Sequence, residues 1–170
     1  MSFVLAGIVA VIFLVADQVT KYIVATNMEL GSSVGFLNGF LDFTYTLNDG
    51  GAWGMLGGYR WLLLVVTALI MIFIVILLVH NKLKSKLLFW AGSLIISGGI
   101  GNMIDRVFNG GKVVDFLEVK FIDFPVFNIA DCAVVIGAGL LILYFILDTV
   151  REEKEKKAKK EAEKAESEEQ

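Results

Sequence analysis

Four long stretches of this chain are almost entirely apolar, and each has the length that a helix needs to cross the hydrocarbon core of a membrane. The stretches run from Phe3 to Ala25, from Trp61 to Val79, from Leu87 to Ile104 and from Val126 to Leu147. The middle two contain no charged residue. Hydrophobic residues make up 56% of the chain and there is one proline, so the sequence predicts an all-α membrane protein with four transmembrane helices.

The first stretch has the position of a secretory signal peptide. No basic segment precedes it and no convincing pair of small residues marks a cleavage site, although signal peptides carry both. We therefore expect it to be a retained helix.

Positive charges are distributed unevenly among the segments outside these stretches. The short segment from His80 to Lys86 holds three lysines and the C-terminal segment from Arg151 to Gln170 holds seven cations, whereas the two longer connections together hold four. Loops rich in lysine and arginine stay on the cytoplasmic side of a membrane. The sequence therefore predicts both termini in the cytoplasm and the longer connections, from Asn27 to Arg60 and from Arg106 to Pro125, outside it.

The two outer connections carry the signals of a small β-structure. Asn38-Gly39 separates two apolar runs, Val34 to Leu37 and Phe40 to Leu47, which is a strong hairpin signal. Val113 to Ile122 mixes β-branched and aromatic residues after the turn-like Asn109-Gly110-Gly111. We expect these segments to form β-structure on the outer membrane surface, where it would either rest against lipid headgroups or hold an extended peptide.

The last twenty residues are highly charged and contain no apolar side chain larger than alanine. A segment of this kind cannot bury a core, so it forms a solvated helix or a disordered tail. The sequence thus predicts a four-helix transmembrane domain over residues 1–150 and a charged cytoplasmic tail over residues 151–170. We expect the tail to take no part in the chemistry.

Two aspartates lie near the same edge of the third and fourth stretches, Asp105 in the motif GNMIDR and Asp131 in the motif FNIAD. With a rise of about 1.5 Å per residue, Asp105 lies roughly 27 Å along its helix from Leu87 and Asp131 lies roughly 24 Å along the next helix from Leu147. Asp17 in the first stretch comes slightly deeper, at roughly 21 Å. Carboxylates are costly inside a membrane, so two at a matched depth predict a reaction site.

Two facing carboxylates cannot both ionise easily, so they would share one proton. The ionised member can take a proton from a water that attacks an amide carbonyl, and the protonated member can protonate the departing nitrogen. The pair predicts peptide hydrolysis without a metal, a cofactor or a covalent intermediate. The one cysteine, Cys132, is expected to be a buried, inert thiol, because the one histidine lies at the opposite, cytoplasmic end.

Three other interpretations remain open. Each aspartate could serve in an ion pair, since Asp105 is followed by Arg106 and Asp131 could pair with a nearby cation. A proton- or ion-coupled transporter also uses membrane acids, but it favours sites near the bilayer midplane, internal repeats or broken helices, and we find no internal repeat. A non-enzymatic membrane scaffold would leave the matched acids without a purpose.

Five short motifs resemble, in sequence order, the characteristic motifs of the lipoprotein signal peptidases, also called signal peptidase II, a family of bacterial membrane aspartic endopeptidases. They are DQVTK at Asp17 to Lys21, NDGGAWG at Asn48 to Gly54, GNMIDR at Gly101 to Arg106, VVDF at Val113 to Phe116, and FNIAD at Phe127 to Asp131. Together they span the chain apart from its tail. One position departs from the pattern: many members have alanine where this chain has Gly51, which we expect only to loosen the loop.

The resemblance implies that Asp105 and Asp131 are the catalytic pair. It also implies support for this pair, or contact with the substrate, from four polar residues: Asn48, Asn102, Arg106 and Asn128. Asp17 and Lys21 match a family motif, and because residues spaced i,i+4 share a helix face, their physical interpretation is an ion pair that fixes local shape. Asp115 also lies in a matched motif, although capping of a turn or a strand would explain it equally well.

The resemblance further implies a prolipoprotein substrate whose signal peptide ends just before a cysteine that already carries a diacylglyceryl group. The predicted geometry suits such a substrate, because a site below the outer membrane surface lies at the end of a transmembrane signal helix and beside a lipid anchor. The implied location is the bacterial cytoplasmic membrane, with the lipid bilayer as a second partner. We expect no nucleic acid, cofactor or metal.

Overall fold

The computed structural model describes residues 2–37, 39–50, 57–80 and 85–168. Its helices are α1 (Ser2–Asn27), α2 (Arg60–His80), α3 (Lys86–Phe108) and α4 (Ile129–Glu168). Its strands are β1 (Ser33–Leu37), β2 (Leu41–Asn48) and β3 (Val113–Val119). All four helices contain segments that are long and apolar enough to cross a membrane. The four predicted transmembrane helices and the small β-structure between them are therefore confirmed.

Helix α3 is the centre of the bundle, because it contacts α1, α2 and α4. In its membrane-spanning segment 56% of the residues are buried, against 11%, 17% and 22% in α1, α2 and α4. Glycines allow the close approach: a Cβ added at Gly101 would lie 2.7 Å from Asp17 Oδ2, and one added at Gly98 would overlap the Ala130 carbonyl oxygen. The glycines of α3 are therefore explained by helix packing.

Two helix ends differ from their predicted boundaries. Helix α3 continues past its predicted end to Phe108, because the polar side chains of its last turns find partners inside the protein. Helix α4 begins at Ile129 rather than at Val126, because Asn128 caps it. Asn128 Oδ1 accepts a hydrogen bond from the Asp131 N–H at 2.9 Å, and Asp131 Oδ2 accepts one from the Asn128 N–H at 3.0 Å. This reciprocal cap satisfies N–H groups that have no partner within the helix.

The charged tail continues α4 without a break to Glu168. Ion pairs one turn apart, Arg151 with Glu155 at 3.0 Å and Lys156 with Glu152 at 3.5 Å, lie on its exposed surface. Pairs of this kind contribute only about 0.3–0.5 kcal/mol each to helix stability. Of the two forms predicted for the tail, a solvated helix and a disordered segment, the structure has the helix.

The three strands form one antiparallel sheet in the order β1, β2, β3. Strands β1 and β2 are the predicted hairpin, with Val34 opposite Phe43, and Asn38 of its turn lies outside the described residues. Strand β3 comes from the connection between α3 and α4 and pairs with β2, so that Asn48 lies opposite Val113. One sheet thus joins both connections and brings Asn48 to the start of β3.

The sheet packs on the last turns of α1. Val24 of α1 forms one buried apolar cluster with Val114 and Phe116 of β3, and Met28, just after α1, packs against it. This cluster places β3 beside the ends of α1 and α3, where the polar motifs lie.

Candidate active site

A cavity of about 520 Å³ opens beside the start of α4. Its polar lining consists of Asn48, Asn102, Arg106, Asp115 and Asp131. The rest of the lining is mostly apolar and includes Phe124, Val126, Phe127, Val135 and Ile136. These residues come from the two connections that form the sheet, from α3 and from α4, so the cavity lies where the bundle meets the sheet.

Asp131 is held in the first turn of α4. Its Oδ1 accepts a hydrogen bond from Asn102 Nδ2 at 2.8 Å, and its Oδ2 accepts the bond from the Asn128 N–H. A carboxylate in this position also lies in the favourable field of the helix N-terminus. Asp131 is therefore fixed in orientation while it lines the cavity.

Asp115 lines the same cavity from β3 and is 1% exposed. Its Oδ1 accepts a hydrogen bond from Asn128 Nδ2 at 2.6 Å, and its Oδ2 accepts one from Asn48 Nδ2 at 2.9 Å. Burial and then the negative charge of Asp131 raise the pKa of Asp115 to about 7, although the two amide hydrogen bonds and the charge of Lys21 act in the opposite direction. Asp115 therefore gains and loses a proton near neutral pH.

Asn128 connects the two aspartates. Its fully buried side chain donates to Asp115 through Nδ2 and accepts from the Asp131 N–H through Oδ1. Its Nδ2 also donates to Asn102 Oδ1 at 3.1 Å. The relative placement of the two carboxylates therefore depends on this one side chain.

Asp105, which the sequence pairs with Asp131, has different neighbours. Its carboxylate lies 3.2 Å from Lys21 Nζ and accepts hydrogen bonds from the Val114 N–H at 3.0 Å and from Gln18 Nε2 at 3.3 Å. Among the described residues it is not part of the cavity lining. The structure thus does not bring Asp105 into the cavity that Asp131 lines. Depth along a helix does not give the direction of a side chain, and that of Asp105 points toward α1 and β3.

Lys21 and Asp17 form the pair expected from their spacing, with Nζ and Oδ2 2.9 Å apart. Lys21 Nζ also donates to Asn102 Oδ1 at 2.9 Å. Asp17 Oδ1 accepts a hydrogen bond from the Ala130 N–H at 2.8 Å. Both side chains are buried, so the pair connects α1 to α3 and α4 and does more than shape its own helix.

The four residues expected to support the site are found around the cavity, with Asn48, Asn102 and Arg106 in its lining and Asn128 directly behind it. Arg106 is 8% exposed, and its buried Nε has no hydrogen-bond partner among the described residues. A guanidinium at a cavity wall with a free donor can bind a ligand oxygen. The rest of the Asn48 motif, from Gly51 to Gly54, lies outside the described residues.

The sequence named Asp115 as a motif residue but left its role open between capping and a place in the site. Asp115 interrupts an apolar strand, and a buried carboxylate is costly unless polar groups surround it, so its burial indicates a site residue. Gln18 was not singled out, although it lies in the motif DQVTK. It donates to Asp17, Asp105 and the Gly101 carbonyl.

The cavity brings together the groups that acid–base catalysis needs. Asp115 titrates near neutral pH, and Asp131 provides a second carboxylate in the same lining. A pair in which one carboxyl is protonated and the other ionised can activate a water and protonate a leaving group. The arrangement is therefore suited to hydrolysis.

Known proteins resemble this chain over most of its length. A family model described as signal peptidase (SPase) II matches residues 9–147. The lipoprotein signal peptidase of Halalkalibacterium halodurans is 39% identical over 153 residues, which cover 89% of this chain and 97% of that protein. The lipoprotein signal peptidase of Staphylococcus aureus (strain bovine RF122 / ET3-1) is 40% identical over 153 residues, covering 88% and 93%.

A solved structure of a bacterial membrane enzyme also has this fold, with a TM-score of 0.76 and 39% sequence identity over 85% of this chain and 88% of that one. The residues that the family model matches include parts of all four helices and all three strands. The chain therefore belongs to the signal peptidase II family and is a protease of the bacterial membrane.

Proposed function

We propose that this protein is an aspartic endopeptidase that cleaves the signal peptide from diacylglyceryl-modified prolipoproteins, just before the lipidated cysteine. Asp115 and Asp131 are its catalytic pair in this proposal. The observation that carries the assignment is that both carboxylates line one cavity, in which the pKa of Asp115 is raised to about 7. The names of the relatives, which are lipoprotein signal peptidases, support the substrate class.

Asp115 takes the place that the sequence gave to Asp105. The donors around Asp105 come from α1 and from the backbone of β3. The donors around Asp115 are the side-chain amides of Asn48 and Asn128 at the edge of the cavity. We therefore assign Asp105 a supporting role and Asp115 a catalytic one.

In the proposed mechanism Asp115 begins protonated and Asp131 begins ionised. Asp131 takes a proton from a water as the water attacks the scissile carbonyl carbon, while Asp115 donates its proton to the carbonyl oxygen. The proton that Asp131 has gained then passes to the departing nitrogen as the carbon–nitrogen bond breaks, and Asp115 takes a proton back from the hydroxyl whose oxygen becomes the new carbonyl oxygen. The pair thus returns to its starting protonation. Each proton transfer of this kind contributes typically 10²–10⁴-fold to a rate.

The shape of the cavity supports a substrate with a large apolar part. Its apolar lining includes Phe124 and Phe127 before α4 and Val135 and Ile136 on α4. Helix α4 exposes apolar residues such as Val135, which is 69% exposed, so this wall continues onto the surface that would meet lipid. A diacylglyceryl chain or the end of a signal helix suits such a wall.

We also propose that both termini are cytoplasmic and that the sheet and the cavity are outside. Lysines are concentrated in the tail and in the segment before α3, of which Lys82 and Lys84 lie outside the described residues. A cysteine introduced at the exposed Lys112 should react with a membrane-impermeant maleimide on intact cells. A cysteine introduced at the exposed Ala158 should react only after permeabilisation, and the reverse pattern would contradict this orientation.

The proposed function is tested by cleavage of a lipidated prolipoprotein by the purified protein in lipid. Asp115→Asn and Asp131→Asn should each lower kcat by about 1,000-fold or more. Asp42→Asn is the matched control, because Asp42 is a sheet aspartate whose partner is Lys120 at 3.9 Å. It should leave cleavage unchanged.

Full activity in either Asp115→Asn or Asp131→Asn would remove the proposed pair. Inactivity of Asp105→Asn together with activity of Asp115→Asn would restore the pair inferred from the sequence. Equal cleavage of the precursor with and without its diacylglyceryl group would contradict the proposed substrate.

A further inference from the structure

We propose that Lys21 is a positioning residue for the catalytic pair, which it holds through Asn102 on one side and through Asp105 on the other. This inference rests on the proposed function, since it takes Asp115 and Asp131 as the catalytic pair. It assigns a role to a buried group of charges that the hydrolytic steps themselves do not use.

The first connection runs from Lys21 to Asp131. Lys21 Nζ donates to Asn102 Oδ1 at 2.9 Å, and Asn102 Nδ2 donates to Asp131 Oδ1 at 2.8 Å. An ammonium is only a donor, so it forces the amide oxygen of Asn102 toward itself and the amide nitrogen away. The orientation of the bond to Asp131 is therefore set by Lys21 together with the Asn128 amide, whose Nδ2 donates to the same oxygen.

The second connection runs from Lys21 to the strand that carries Asp115. Lys21 Nζ lies 3.2 Å from Asp105 Oδ2, and this oxygen accepts a hydrogen bond from the Val114 N–H at 3.0 Å. Val114 directly precedes Asp115. Asp105 thus satisfies a backbone donor on β3 next to the catalytic carboxylate.

The third connection repeats this pattern at the other aspartate. Asp17, the partner of Lys21 on α1, accepts a hydrogen bond from the Ala130 N–H at 2.8 Å. Ala130 directly precedes Asp131. The backbone N–H before each catalytic aspartate is therefore held by a carboxylate, and both carboxylates are paired with the same ammonium.

The charge of Lys21 is required because all three ionic groups are out of water. Lys21 is 3% exposed, Asp17 is 0% exposed and Asp105 is 3% exposed. Removing one partner from a buried ionic group leaves uncompensated charge. Without Lys21, Asp17 and Asp105 would repel each other and release the two backbone segments that they hold.

Lys21 also acts on the catalytic pair through its field. Among the residues that the structure describes, the other ionisable groups that face this region are Asp17 on α1, Asp105 and Arg106 on α3, Asp115 on β3, and Asp131 with the neighbouring Cys132 on α4. The positive charge of Lys21 lowers the pKa of Asp115 against the larger raising effects of burial and of Asp131. Loss of that charge should therefore raise the pH at which the pair changes protonation.

The test compares Lys21→Met with wild type in the cleavage assay over a range of pH. Lys21→Met should lower kcat by about 100-fold, because a misplacement of about 1 Å at a catalytic group has this effect, and should change KM by less than about threefold. Both limbs of the pH profile should move to higher pH by about one unit. Lys21→Arg, which keeps the charge, should keep the limbs at their wild-type positions.

Two further variants complete the test. Lys120→Met is the matched control, because Lys120 is a sheet cation with surface partners Asp42 and Glu118, and it should change neither kcat nor the limbs. Asp17→Asn keeps an oxygen for the Ala130 N–H but removes a negative charge. It should therefore move the limbs to lower pH, and it tests the proposal even if Lys21→Met does not fold.

A purely structural role for Lys21 would lower the yield or the thermal stability of folded protein and leave the limbs in place. The proposal is overturned if folded Lys21→Met has wild-type kcat, or if neither Lys21→Met nor Asp17→Asn moves the limbs. In those cases inactivity of Asp115→Asn and Asp131→Asn would still support the proposed function. Activity in those two variants would remove the proposed function, and the positioning role with it.

Discussion

The two ends of the bundle are held together by different interactions. At the end opposite the sheet, α3 packs on α2 and α4 through an apolar cluster that includes Ile74, Leu88 and Ile95. At the end beside the sheet, the same helix is joined to α1, β3 and α4 by hydrogen bonds and ion pairs between buried groups. The first end therefore depends on how well side-chain volumes fit, and the second depends on the matching of hydrogen-bond donors with acceptors.

The largest effect on stability is expected where volume is tightest. A Cβ at Gly137 of α4 would lie 2.8 Å from the Ala91 carbonyl oxygen and 2.8 Å from Ile95 Cγ1. Gly137→Leu should lower the free energy of unfolding by about 3 kcal/mol, the upper end of the usual range for overpacking. Gly139→Leu on the same helix meets nothing within 4 Å and should not destabilise. Thermal unfolding in detergent measures both, and equal losses would contradict close packing at Gly137.

A smaller loss of stability with a large loss of activity is expected at the end beside the sheet. Asn128→Ala removes the hydrogen bonds that reach Asp115 and Asp131. It should lower the free energy of unfolding by about 2 kcal/mol and kcat by about 100-fold. Asn27→Ala is the control, since the amide of Asn27 bonds within its own exposed helix end. An Asn128→Ala protein with wild-type kcat would show that the cap has no part in placing the pair.

The next effect is a shift in the pH dependence of kcat with little change in the free energy of unfolding. The hydrogen bond from Asn48 lowers the pKa of Asp115 because it favours the ionised form. Asn48→Ala should therefore raise this pKa above about 7 and move the pH limbs of kcat to higher pH. Thr44→Ala, which removes a hydroxyl bonded to Ser33 and Glu118 on the sheet, should not move them. A shift to lower pH in Asn48→Ala would contradict the assignment of Asp115.

The smallest effect is expected from removing residues 151–170. The pairs on this part of α4 are exposed, and exposed pairs contribute at most about 1 kcal/mol. Cleavage in lipid vesicles should stay within about twofold of wild type. A larger loss would show that the tail belongs to the catalytic unit, contrary to the predicted division of the chain.

The sequence predicted the helices and the hairpin because both follow from local patterns. An uncharged run such as that from Trp61 to Val79 is long enough to cross a membrane whatever surrounds it. The hairpin followed from a turn-forming pair between two apolar runs. The continuation of α3 from Arg106 to Phe108 was not predicted, because the apolar run ends at Ile104.

The sequence predicted most of the polar residues around the cavity, but it did not predict which of them contact each other. Four of the expected polar residues and Asp131 are found around the cavity. Asp105 was placed there because depth can be counted along a helix, but side-chain direction depends on the neighbouring helices. The place of Asp115 in the same cavity was not predicted, since it follows from the pairing of β3 with β2 and from the contact with Asn128.

The cap at Asn128 limits how the two acids can vary. Its Nδ2 donates to Asp115 and its Oδ1 accepts from the Asp131 N–H. Rotating the amide by 180° would place its oxygen against the Asp115 carboxylate and its nitrogen against the Asp131 N–H, so neither hydrogen bond could form. A carboxylate at this position has two identical ends and can serve only one neighbour well. A substitution at Asn128 therefore disturbs the hydrogen bonds of Asp115 and of Asp131 at the same time.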